Sequence, residues 1–453
     1  MIYLIASIAA ISGFLFGFDE GVIAGILRAL TEHFHLSEAG KGFLASALPL
    51  GALFASVILG SYIATKLTHY VGRRTAILWA AILFTISSLC AAFAPTLWML
   101  ITARVITGVA IGLAGVMTPL YIAEMTPAAI RGRLISTYQL AITIGILAGY
   151  LINYLFVYGV NWRMMFAAGA IPSLVLLVGM YFLPESHRWL VLTKQYDKAK
   201  EVLNKIHTTE DASREIDAIE HAIEDEGNMV SWKTLWSPTV RPALIVAMVL
   251  FVLQQLSGIN VVIYYAPTIF QSVGFSSTQT QIVATVGVGL VNMLTTILAM
   301  FLIDRIGRRK LLYIGFTGAA ITLMIISMSA QLSAANLSMI TFIAALGFIA
   351  SFAIALGPIP HIMMSEVFPI HVRNTGMGVA SICNWGFNFI VVFTYPIMIQ
   401  HWGLGATFWM YAIACVLGLL FTRYYVPETK GVTLEAITEH LLERKPLRDL
   451  GEK

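Results

Sequence analysis

Two amides, a third amide one turn on and a pair of tyrosines fall together in QQLSGINVVIYYAP, Gln254 to Pro267, inside a run that is otherwise apolar. At helical spacing Gln254, Ser257, Asn260 and Tyr264 share one face. Gln255 falls off that stripe, but Gly258 stands between it and Asn260, and a glycine there can loosen the helix so that the amides converge. Amides and phenols supply paired donors and acceptors without charge, which suits a neutral ligand covered in hydroxyls, such as a sugar. The alternative is that they only hold helices together, as Asn and Gln do in membranes. The second chemical feature is Asp19, in the first apolar run. A carboxylate at that depth is costly unless paired, hydrated or protonated, and Arg104 is the embedded base able to pair with it. Gain and loss of a proton at Asp19 would then make or break that pair. Glu20 is adjacent, about 100° round the helix, and is expected at a wet edge.

The elements that must hold these residues are legible in the composition. Of 453 residues, 58% are hydrophobic and 11% charged, too few charges for a soluble chain of this length, so the protein is polytopic in a membrane. Apolar segments long enough to cross a bilayer lie near 3–27, 42–65, 76–94, 97–123, 134–157 and 164–183, and again near 243–271, 279–303, 311–330, 338–364, 376–400 and 404–425. That is twelve spans. The first run carries Asp19 and follows no basic segment, so it reads as a permanent span and not as a cleaved signal. With both termini in the cytoplasm, 24 of the 28 Lys and Arg fall on that side, Lys66 among them, as the positive-inside rule requires. The polar stretch 184–241 alternates apolar and charged residues at helical spacing and predicts two to four amphipathic helices. Its mixed charges and the spacing of His207 and His221 suit neither nucleic acid nor metal. Cys90, Cys383 and Cys415 sit in apolar runs and read as small hydrophobes, without a disulfide framework.

The two halves repeat. GRR at Gly72–Arg74 returns at Gly307–Arg309; E-x-x-P-x-x-x-R at Glu124–Arg131 returns at Glu366–Arg373; PES at Pro184–Ser186 returns as PET at Pro427–Thr429. Nearly equal displacements mark a duplicated bundle, the plan of transporters whose site lies between repeats. The expected parts are an N-terminal six-helix half, 1–183, linker helices, 184–241, a C-terminal six-helix half, 242–426, and a tail, 427–453.

With GFD at Gly17–Asp19, the paired GRR motifs, RVITGVAIG, PLYIAEMTPAAIRG, PESHRWL, QQLSGIN, DRIGRR, GPIP and PETKG in order, the chain resembles the sugar porter family of the major facilitator superfamily over essentially its whole length. The likeness is strongest to bacterial proton-coupled pentose and hexose symporters. It implies an all-α fold of twelve helices in two pseudo-symmetric halves, alternating access around a central site, and a place in the bacterial inner (plasma) membrane. The implied activity is import of a monosaccharide with a proton; the alternatives are a proton-independent uniporter and a membrane sugar sensor.

The resemblance also implies roles. Gln139, Gln254, Gln255, Asn260, Asn292, Asn384, Trp385 and Asn388 match sugar-binding positions, with Tyr264 and Phe16 beside the sugar. Asp19 and Arg104 match the proton-coupling pair. Glu124, Arg131, Arg74, Glu366, Arg373 and Arg308 match a cytoplasmic charge lattice that links the halves and parts when they rock. Family members commonly carry a tryptophan after GP-x-x; here His361 stands there, offering either a ligand contact or a bond to a neighbouring carbonyl. Gly108, Gly112 and Gly115 read as points of close helix approach. The partners expected are a monosaccharide, a proton and the bilayer, with no nucleic acid, metal or other cofactor, and the chain is expected to be a monomer. An enzyme reading finds no nucleophile–base pair, phosphate loop or metal cluster.

Overall fold

The structure, a computed structural model, describes residues 2–59, 71–156, 161–204, 216, 219–220, 232–330, 334–369, 372–432, 437, 439–441, 443 and 445–451. Lys66, His207 and His221 lie outside them, as does the side chain of Arg131. In the first half, α1 (Ile2–Phe34), α2 (Glu38–Leu59), α3 (Arg73–Ala92), α4 (Leu97–Glu124) and α5 (Ala128–Leu155) are followed by α6 (Trp162–Ala168) and α7 (Ala170–Phe182), which form one span. Among the described residues three short helices come next, α8 (His187–Leu192), α9 (Tyr196–Asn204) and α10 (Trp232–Leu235). The second half is α11 (Arg241–Leu256), α12 (Ile259–Ser272), α13 (Thr278–Ile306), α14 (Arg308–Ser329), α15 (Ala334–Ser351), a π-helical turn (Phe352–Leu356), α16 (Pro358–Glu366) and α17 (Arg373–Tyr425).

Among the described residues, 11 stretches are long and apolar enough to cross a membrane. The last runs 51 residues, far beyond the ~20 that cover a bilayer. It is two spans bent at Gly403, whose φ of 74° and ψ of 174° leave the helix. The twelve-span reading therefore holds. Lipid-facing positions such as Phe182, Phe93 and Trp98 are exposed, as an apolar solvent permits.

Close approach builds each half. A Cβ on Gly108 would meet the Leu48 carbonyl oxygen at 2.0 Å, so α2 and α4 touch backbone to backbone there. Gly112 is similarly confined by Ala55, whereas a Cβ on Gly115 meets only the Tyr138 hydroxyl, at 3.4 Å; the close-approach reading fits the first two.

The QQLSGIN break occurs where it was expected. Gly258 has φ 82° and ψ 15° and separates α11 from α12. A β-carbon there costs about 1–2 kcal/mol in the left-handed region and would also lie 2.8 Å from the Tyr411 ring. Gly258→Ala is expected to lower the thermal unfolding temperature of detergent-solubilised protein and to weaken ligand binding. Unfolding followed with and without ligand checks both.

Candidate functional site

The break at Gly258 lets Asn260 turn back on the amides that precede it. Asn260 Nδ2 donates to Gln255 Oε1 at 2.6 Å, and Gln255 Nε2 donates to Asn384 Oδ1 of α17 at 2.6 Å. A chain of three amides thus joins α12, α11 and α17. Asn388, one turn beyond Asn384, is 3% exposed and its Oδ1 has no hydrogen-bond partner.

Gln254 turns the other way, for a reason written in GPIP. Pro360 has no N–H, so the Leu356 carbonyl, four residues earlier, loses its donor within the helix. The π turn at Phe352–Leu356 displaces the ladder further. Gln254 Nε2 donates to Leu356 O at 2.7 Å and to Gly357 O at 3.1 Å. Its donor is therefore spent on backbone, and only a long 3.5 Å contact from Gln255 Nε2 reaches its Oε1.

His361 shares the Gly357 carbonyl, with Nδ1 at 3.1 Å. A carbonyl only accepts, so Nδ1 carries the hydrogen and Nε2 keeps a lone pair. The ring stands edge-on to Phe251, with centroids 4.8 Å apart, and is exposed although it lies within a span. The carbonyl bond expected as one option is therefore present, and it leaves a ring acceptor open. Phe16 of α1 meets Trp385 of α17 at 5.4 Å, so aromatic faces from the two halves touch.

Other expected residues stand apart from the amide chain. Asn292 is buried in α13 and Gln139 half-buried in α5, and neither bonds to it. Tyr264 is 0% exposed, and its hydroxyl faces Glu20 of α1.

Asp19 and Arg104 do meet. Arg104 Nη1 lies 3.1 Å from Asp19 Oδ2 and 3.4 Å from Oδ1. The guanidinium is 1% exposed, its Nε donates to the Leu44 carbonyl at 3.1 Å, and Phe166 lies against it at 5.9 Å. Glu20 is not at a wet edge: it is 2% exposed, because α1 packs against α12 as well as against its own half.

At the end of the bundle that carries the GRR motifs each half repeats one design. Arg73 pairs with Glu124 at 3.1 Å and Ser186 also donates to Glu124. In the other half Arg308 pairs with Glu366 at 2.9 Å and Thr429 donates to Glu366 at 2.5 Å. Glu185 and Glu428 accept from the first backbone N–H groups of α3 and α14, where helix N-termini favour anions. The repeat aligns Arg73, not Arg74, with Arg308. Arg74 instead donates to the Met180 and Tyr181 carbonyls, and Arg373 donates to the Phe368 carbonyl at 3.4 Å. These pairs, Arg73–Glu124 and Arg308–Glu366, each lie within one half. Between halves, Tyr150 OH donates to the Ile263 carbonyl at 2.8 Å and the Ser56 and Ser381 hydroxyls meet at 3.2 Å.

A cavity of about 590 Å³ lies at the end of the bundle opposite the GRR motifs, among α1, α12 and α13, lined by Arg28, Glu32, His33, Trp162, Gln271 and Gln281. It does not include the amide chain.

The fold and these constellations define a multi-pass membrane transporter. The chain belongs to the family described as "Sugar (and other) transporter", whose model matches residues 5–441. It is 37% identical to the galactose-proton symporter of Escherichia coli (strain K12), over 100% of this chain and 97% of that protein. It is 36% identical to the D-xylose transporter of Levilactobacillus brevis, over 98% and 96%. A solved structure of the xylose transporter XylE from E. coli, in a partially occluded inward open conformation, superposes with a TM-score of 0.83 at 31% identity, over 95% of this chain and 99% of that one. An inward open form gives 0.82 at 31% identity, over 97% and 99%.

Removing the Gln254 amide leaves the Leu356 carbonyl short of a donor, while Gly357 keeps His361 Nδ1, at a cost of about 1–3 kcal/mol. Gln254→Ala is expected to destabilise the protein by that order, read as a lowered thermal midpoint in detergent.

Proposed function

We propose that the protein imports a monosaccharide together with a proton by alternating access, with residues 1–183 and 242–426 rocking as two bodies, 184–241 bridging them and 427–453 as a cytoplasmic tail. The observation that carries this reading is the buried Asp19–Arg104 pair, 3.1 Å apart, in a bundle whose centre is an uncharged amide chain. The relatives that carry galactose, arabinose or xylose with protons support it.

The sugar contacts belong to the groups whose hydrogen-bonding capacity is still open. Asn388 Oδ1 and His361 Nε2 accept from hydroxyls, and Gln255, Asn260 and Asn384 trade bonds with one another for bonds to the ligand. Phe16 and Trp385 cover the apolar face of the ring. Gln139 and Asn292 complete the polar set from α5 and α13, Gln254 holds α16 in place, and Tyr264 closes the outer side. Asp19 takes the proton, which neutralises it and releases Arg104; loss of the proton restores the pair. Both termini lie in the cytoplasm, the protein acts as a monomer, and it performs transport without an enzymatic step.

The cytoplasmic pairs weigh the two conformations. In this reading the inner ends part and close as the halves rock. When they close, Glu124, Arg131, Glu366 and Arg373 are brought together across the seam. Glu366→Gln is expected to slow transport severalfold with sugar affinity unchanged; initial uptake rates against equilibrium binding read the two separately.

The decisive measurement is external pH on adding galactose, xylose, arabinose or glucose to de-energised right-side-out vesicles. Inward symport alkalinises the outside, and Asp19→Asn abolishes that change. Gln255→Ala, which removes the centre of the amide chain, is expected to weaken affinity about tenfold, the order of one lost polar contact. Sugar exchange without proton movement would make the protein a uniporter.

A further inference from the structure

Glu20 is an acid that the mechanism above does not use. It follows Asp19 directly, is 2% exposed, and lies at the seam between halves. Ionisable groups of α1, α4, α5 and α12 stand around it. From α12, the fully buried Tyr264 hydroxyl faces the Glu20 carboxyl. From α5 comes Tyr150, whose hydroxyl is committed to the Ile263 carbonyl at 2.8 Å. On its own helix is Asp19, and from α4 comes Arg104.

Arg104 does not serve Glu20. Its Nη1 is on Asp19 and its Nε on the Leu44 carbonyl, while Nη2 is buried without a hydrogen-bond partner. The enclosed cluster therefore holds two carboxyls against one guanidinium. With Asp19 paired, a second negative charge has no counter-ion, and an unpaired charge in such surroundings is the costly case. Two carboxyls in one site of this kind share a proton between them. The Tyr264 hydroxyl can donate to an ionised Glu20 and can equally accept from a protonated one.

We propose that Glu20 is a second proton-binding residue of the coupling site, holding a proton at the seam between the halves while Asp19 is paired with Arg104. The step is a simple one: a proton from water binds the Glu20 carboxylate and gives the neutral acid, with no other bond made or broken. Closing the outer seam on ionised Glu20 would bury an unpaired charge, so the closed seam selects the protonated form. Opening it returns Glu20 to water, where the proton leaves. This rests on the reading of the chain as a sugar–proton symporter, and it assigns that site a second acid.

The test is exchange of radiolabelled D-galactose or D-xylose in proteoliposomes with equal pH on both sides, scanned from acid to alkaline pH. Exchange needs no net proton movement but does need the seam to close. Wild-type exchange falls as Glu20 loses its proton, by about tenfold per pH unit on the steep limb, the slope of one proton. Glu20→Gln, a permanent mimic of the neutral acid, removes that fall, and Glu20→Asp keeps it at a displaced midpoint. A folded Glu20→Gln protein that exchanges nothing at any pH, or that keeps the wild-type fall, overturns the proposal. If the glutamine variant fails to fold, an unchanged midpoint in Glu20→Asp overturns it instead. The symport reading is tested separately: a wild type that moves no proton with sugar fails it, whatever the exchange profile.

Discussion

Inside a bilayer a backbone carbonyl without a donor has no water to turn to, and the core of this protein is arranged around two places where that problem arises. One is the left-handed Gly258 that separates α11 from α12; the other is the π turn and the proline-rich start of α16. Gln254 resolves the second from the edge of the first, donating to Leu356 and Gly357. Because that amide is engaged, α11 and α16 are held in register, Gln255 is left free to bond to Asn384, and His361 is fixed in one tautomer against the same Gly357 carbonyl. The breaks supply the polar groups of the site, and the site's own side chains repair the breaks.

The charged groups follow a different economy. The surface pairs of a soluble protein stabilise it weakly, but Arg104 is 1% exposed and its separation from Asp19 would leave both ions without compensation. In the proposed mechanism the pair is a two-state element: intact while Asp19 is charged, and released when a proton replaces the guanidinium. Glu20 adds a carboxyl that faces the opposite half through Tyr264, so the same helix carries one acid turned to its own half and one turned across the seam. Rigid-body rocking changes the surroundings of the second acid more than those of the first.

At the GRR end of the bundle the duplication is visible atom by atom. A glutamate after the proline of PES or PET receives the first N–H groups of a helix, an arginine of the GRR motif reaches the glutamate of E-x-x-P, and a hydroxyl from the PES or PET motif donates to that same glutamate. Each half is thereby a closed unit whose inner end is braced internally. A body braced in this way moves as a whole, which is what alternating access demands of it.

Much of this was written in the linear chain. Length and hydropathy set the twelve spans, since a bilayer imposes a minimum apolar length; the paired motifs marked the duplication; and Asp19 and Arg104 were the buried charges able to meet. The glycine in QQLSGIN announced the break because positive φ has few other occupants. What each polar side chain touches was decided only by the tertiary structure. Helical spacing put Gln254 on the stripe with Asn260, yet Gln255 makes that bond, because a proline distant in sequence leaves Leu356 in need of the Gln254 donor. Arg74 and Arg73 are indistinguishable in a GRR motif, and only the position of Glu124 selects Arg73. Glu20 looked like a wet-edge acid because spacing along one helix says nothing of the helix that covers it. Sequence periodicity reports which residues share a face; which partner that face meets depends on packing between segments far apart in the chain.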